Sequence, residues 1–126
     1  MKHNARGFTL IELIVVMAIV ALLAGLVAPR YFASLERSRE VALKTSLATM
    51  RDAIDQYAAD RGQYPDSLQA LVDARYLRGV PEDPVSGKRD WLELPPPNDA
   101  MLKGQLFDVR SSAPGRASDG QLYADL

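Results

Sequence analysis

Apolar residues fall along this chain in two unlike patterns. From Phe8 to Ala28 every residue but Thr9, Glu12 and Gly25 is apolar, and from Leu13 to Ala28 none is charged. The apolar residues occupy every helical face of that stretch, and a helix apolar all round is either deep core or a membrane span. A helix of that length rises roughly 31 Å, about one hydrocarbon core, and the rest of the chain is too short to wrap it. The stretch 8–28 is therefore read as a transmembrane helix. A secretory signal peptide would carry an apolar region of about 7–15 residues and small residues at its cleavage site. This block is longer and ends Leu26-Val27-Ala28-Pro29-Arg30.

Beyond Arg30 the pattern becomes amphipathic. Leu43, Leu47, Met50, Ile54 and Tyr57 are spaced by 4, 3, 4 and 3, a single stripe at helical period. Phe32 and Leu35 add an earlier contact. Glu40 with Lys44, and Arg51 with Asp55, are expected as i,i+4 pairs along the helix. This amphipathic spine, assigned to 29–62, should stop near Arg61-Gly62, where glycine can take the left-handed cap position. Fully helical, Phe8 to Arg61 would measure roughly 81 Å. Pro29 removes a helical hydrogen bond and bends the rod, or else opens a new helix.

The remainder, 63–126, reads as a small mixed domain. Asp66 with Gln69 resembles a capping box, and Leu68, Leu71, Val72 and Leu77 supply the apolar face of a short helix stopped by Gly79 and Pro81. Trp91-Leu92-Glu93-Leu94 and 104–109 are expected as strands, with Leu122-Tyr123 a short third. The expected architecture is α+β: a long N-terminal helix, a second short helix, and a small antiparallel sheet laid on the spine's apolar stripe.

Charge changes this picture mainly at the N-terminus. The chain has 15 basic and 16 acidic residues, without the basic field of a nucleic-acid binder. Lys2 and Arg6 precede the span with no acidic residue, so the positive-inside rule puts the N-terminus in the cytoplasm and exports everything after the span. Without residues 1–7 the chain carries 13 basic and 16 acidic residues. There is no cysteine, and the single histidine, His3, precedes the span, so no usual catalytic triad can be assembled. An enzyme is not expected, and Trp91 is read as a core anchor.

Glu12 is the exception within the apolar block. A carboxylate at the centre of a membrane helix costs about 2.5–3.5 kcal/mol on insertion scales, and less near the surface. Together Lys2, Arg6, Gly7, Phe8, Thr9, Leu10, Ile11 and Glu12, followed by an apolar stretch reaching Pro29, resemble the leader and cleavage motif of type IV prepilins and type II secretion pseudopilins. The resemblance implies a pilin-like fold. It also implies removal of residues 1–7 by a membrane-embedded prepilin peptidase cutting after Gly7, then N-methylation of Phe8. It further implies filament assembly in which Glu12 pairs with the Phe8 amine of a neighbouring subunit, with Pro29 kinking the helix.

The segment Pro81-Glu82-Asp83-Pro84 through Trp91, Phe107-Asp108-Val109 and Asp119-Gly120 is similar to the C-terminal part of the major pseudopilin of type II secretion. The absence of cysteine favours that branch over type IV pilins, many of which carry a C-terminal disulfide loop. The implied role is a homo-oligomeric pseudopilus subunit, anchored in the bacterial inner membrane with a periplasmic head. Its implied partners are minor pseudopilins, the prepilin peptidase, and an inner-membrane assembly platform with its ATPase. A type IV pilus subunit for adhesion, motility or DNA uptake is the alternative, and a membrane-anchored enzyme or binding head a third reading.

The family also implies calcium in the C-terminal loop. Asp108, Asp119 and Asp125 are the candidate ligands, but their spacing matches no compact calcium loop. Arg110 and Arg116 lie nearby, and Asp119-Gly120 reads as a plain turn.

Overall fold

The computed structural model describes residues 4–126. Lys2 and His3 lie outside that range. Helix α1 runs Leu10–Arg61, 52 residues, and passes through Pro29 without interruption, so Pro29 does not open a new helix. The chain divides into two compact units, one up to Glu36 and one from Arg37 to Leu126.

In the first unit α1 is long and apolar enough to cross a membrane. Its apolar window buries nothing within the chain, and Phe32, expected to pack, is exposed as well. A surface this apolar has no place in water; its solvent is lipid or other protein.

The second unit is built on the rear of α1. Leu43, Leu47, Met50, Ile54 and Tyr57 all turn inward, the first four at 0–1% exposure. Full burial of such side chains contributes about 1.5–3 kcal/mol each. They pack with Leu68, Leu71, Leu77, Trp91, Leu106 and Val109 into one core, so the head does lie on the predicted stripe. The indole nitrogen of Trp91 donates to the Pro81 carbonyl at 2.7 Å, the partner a buried Trp needs. α1 stops at Arg61, and Gly62 takes φ +69°, the predicted left-handed cap.

Local chemistry sets several other boundaries away from their expected places. Helix α2 spans Leu68–Asp73 and is capped by Ser67, whose Oγ accepts from Ala70 N at 3.1 Å; Asp66 is not the cap. A second acceptor, Glu93 Oε1, takes the Leu68 N–H at 3.0 Å. The helix ends at Asp73, with Arg75 at φ 65°, well short of Gly79; Leu77 is buried from the following loop.

Strands β1 (Leu92–Leu94) and β2 (Asp108–Arg110) pair antiparallel, Glu93 opposite Val109. The start of the expected 104–109 strand pairs elsewhere. Tyr64 N donates to Lys103 O at 2.8 Å, and Leu106 N to Pro65 O at 2.9 Å. Gly104, at φ +147°, permits that approach, since a Cβ there would sit 2.5 Å from the Tyr64 carbonyl oxygen. Leu122 makes only an isolated bridge with Arg116, and Tyr123–Asp125 is a 3-10 turn, not a third strand.

Candidate functional site: the capped helix start and the clamped C-terminal segment

Gly7, Phe8 and Glu12, expected to serve processing and assembly, lie together at the start of α1. Thr9 precedes the helix, and Glu12 sits in its first turn. The Glu12 N–H donates to Thr9 Oγ1 at 3.2 Å, and the Thr9 N–H donates to Glu12 Oε2 at 3.4 Å. This is a reciprocal capping box. It gives Glu12 a role within its own chain beside the one expected between subunits. The signal for it stands in Thr9-Leu10-Ile11-Glu12, where the processing motif hides it and leaves Thr9 without a role of its own.

Glu12 stands among Phe8, Ile11, Val15 and Val16, an almost wholly apolar surround. Phe8 is 88% exposed, and residues 4–9 are non-helical. The Gly7–Phe8 peptide bond therefore lies in open backbone just outside the cap. A Cβ on Gly7 would meet nothing within 4 Å, and its φ is not positive. Nothing inside the chain requires glycine there. Pro29 lies several turns further along the same helix, apart from this cluster.

The second constellation lies in the head. The i,i+4 pairs expected along α1 are not the contacts made. Glu40, only 7% exposed, accepts from Ser118 N at 2.6 Å and from Ser118 Oγ at 2.7 Å. Arg51 Nε donates to Asp108 Oδ1 at 2.8 Å, the one ion pair found among the described residues. Arg51 Nη2 donates to the main-chain oxygens of Val109, at 3.0 Å, and Leu126, at 2.8 Å. Glu40 and Arg51 stand about three helical turns apart, and so share a face. Both reach across to the C-terminal segment, where charge-assisted, partly buried hydrogen bonds outcompete solvent-exposed ion pairs along the helix.

A third acid, Asp83, is fully buried. Its Oδ1 accepts from Val85 N at 2.8 Å and Ser86 N at 3.2 Å, and its Oδ2 accepts from Ser111 Oγ. These bonds tie the 83–88 turn to the residue that follows β2. Nearby, the Asp90 carboxyl stands beside the Ser112 hydroxyl and accepts from Ser86 Oγ at 3.2 Å, and these neighbours, Ser112 first, hold it below the usual carboxylate range.

The three calcium candidates are not brought together. Among the described residues, no three His, Asp or Glu side chains gather where they could hold a metal ion. Asp108 Oδ1 is taken by Arg51 and by the Val109 N–H. Asp119 Oδ1 accepts from Gln121 N at 3.0 Å, closing a turn. Asp125 sits in the 3-10 turn. This donor set does not fit calcium, which takes six to eight converging oxygens.

The capped apolar helix with its Gly-Phe-Thr-Leu-Ile-Glu start first defines a class. A model of the prokaryotic N-terminal methylation motif matches residues 2–28. Similarity to known proteins then extends past the helix. The type II secretion system core protein G of Klebsiella michiganensis is 31% identical over 102 residues, covering 68% of this chain and 72% of that protein. Its counterpart from Pseudomonas aeruginosa is 35% identical over 107 residues, covering 72% and 75%. That of Vibrio cholerae is 30% identical over 139 aligned positions, covering 98% and 91%. No solved structure matches. The chain belongs to the family of type II secretion system core protein G.

Proposed function

We propose that this chain is a structural subunit of a type II secretion pseudopilus, polymerising through the first part of α1 to help drive protein export across the outer membrane. The observation that carries the reading is the capped apolar helix, none of whose apolar window is buried within its own chain. Family membership supports it, and the type IV pilus alternative is not favoured.

Before assembly the helix is lipid-soluble, with the basic leader in the cytoplasm and the head in the periplasm. Prepilin peptidase cuts after Gly7 and methylates Phe8. The new amine lies four positions before Glu12, about one helical turn. In the filament Glu12 pairs with the Phe8 amine of a neighbour, because a charge in an apolar surround is penalised far less when paired. The pair fixes register between subunits as well as attracting them. Pro29 supplies the place where the helix can bend or locally melt on entering the filament. Minor pseudopilins, the inner-membrane platform and its ATPase complete the machine. The chain works by assembly, not by catalysis.

Intact mass of the membrane-extracted protein tests the processing step: loss of residues 1–7 and gain of one methyl group is expected, and an uncut chain refutes it. Deletion of the gene should abolish exoprotein secretion and leave surface motility normal. The reverse outcome would return the type IV pilus reading.

A further inference from the structure

The family resemblance leads one to expect a divalent cation in the C-terminal segment, and two of the three candidate donors, Asp108 and Asp119, are otherwise engaged. We propose that Arg51 is the resident cation of that segment: a guanidinium carried on α1 does the locking that a metal ion would do, and the head folds without calcium.

The oxygens around Arg51 are of the kinds a calcium ion collects, namely a carboxylate and main-chain carbonyls. Asp108 Oδ1, the Val109 oxygen and the Leu126 oxygen converge on one guanidinium at 2.8, 3.0 and 2.8 Å. They come from β2 and from the residue after the 3-10 turn, so one side chain joins both ends of the segment to the helix. A planar fork of five donors suits this task; a lysine ammonium would hold the same charge with fewer directed bonds. The guanidinium is always charged, so the lock contains no ion to lose. It also repels a second cation from the oxygens it holds.

The rest of the segment is closed by protein groups in the same manner. Arg116 Nη1 donates to the Gly120 carbonyl at 2.8 Å across the 116–120 turn. The Ser118 hydroxyl and N–H are both held by buried Glu40. Asp119 is committed to its own turn through Gln121 N. Each of these points, at which a metal could gather the loop, already has a partner within the chain.

The test uses the full chain in detergent micelles. Trp91, the sole tryptophan and buried in the head, reports unfolding by near-ultraviolet circular dichroism. Hydrogen exchange reads the C-terminal segment separately. The wild-type transition should be the same in EGTA and in millimolar calcium chloride. Arg51→Met should lower it by several degrees and raise amide exchange in 117–126 roughly tenfold or more, while the core of α1 stays protected. Arg51→Lys should fall between the two. A calcium-dependent rise in the wild-type transition would overturn the proposal. So would an Arg51→Met chain with unchanged exchange in 117–126. Should Arg51→Met fail to fold, the calcium comparison on wild type and the Arg51→Lys exchange pattern decide. None of these readouts involves secretion or filaments, so this idea can fail while the pseudopilus reading stands, and the converse.

Discussion

Two glutamates on one helix show how differently its halves are used. Glu12 lies at the exposed start of an apolar surface and bonds to Thr9, its near neighbour in the chain. Glu40 is buried and bonds to Ser118, far off in the C-terminal segment. Each accepts a backbone N–H, and each has a hydroxyl residue as partner. What differs is where the neighbouring apolar surface finds cover. Around Glu40 the chain supplies that cover itself, through Leu43, Leu47 and the core they join. Around Glu12 it supplies none. The first half of α1 is thus built for contacts outside its own chain, the second for contacts within it. Damage to either half should be readable without damage to the other.

The largest expected effect comes from Glu12→Val. Filaments sheared from cells should disappear, while the mass of the extracted protein still shows removal of residues 1–7 and the Trp91 transition is unchanged. Normal filaments from this variant would break the comparison at its N-terminal end. Leu47→Ala, at a position 1% exposed, should instead destabilise the head by about 2–5 kcal/mol, measured as a lowered Trp91 transition with processing intact. Glu40→Ala should cost less, about 1–3 kcal/mol, because it removes the buried carboxylate that accepts two charge-assisted hydrogen bonds from Ser118; Glu40→Gln should recover part of that loss.

The smallest effect concerns acid. The neighbouring hydroxyls, Ser112 first and then Ser86, depress Asp90 in the folded head. Its contribution is therefore fully present above the ordinary carboxylate value and is lost as pH falls through the lower, folded-state value. Wild type and Asp90→Asn should differ slightly at neutral pH and converge in acid when their transitions are followed by circular dichroism.

Periodicity makes the large elements legible. The Leu43–Tyr57 stripe identifies the core face, and the apolar block identifies the unburied half of α1. Gly62 marks the end of the helix because it can adopt the left-handed cap at no steric cost. Polar partners are not legible in the same way. Glu40 and Lys44 look paired in a linear reading, as do Arg51 and Asp55, since spacing shows only the neighbours on one helix. The observed partners, Ser118 and Asp108, belong to the C-terminal part of the chain, and only folding brings them within reach. The strand expected at 104–109 is displaced for a similar reason: its first residues bond to the 64–65 loop, a partner that alternation cannot reveal. Thr9 differs from both. Its capping spacing is present in the sequence, but it falls inside a processing motif that accounts for the same letters in another way.

The Thr9–Glu12 cap has one more consequence. A helix that read through Gly7 would fold the proposed scissile bond into its own hydrogen-bond ladder, out of a protease's grasp. By halting the ladder at Thr9, the cap would act as a ruler: the proposed new N-terminus is the residue immediately before it. The same four atoms that begin the rod would mark where the leader is to be cut. After the cut they would hold the glutamate close beneath the amine that cleavage creates.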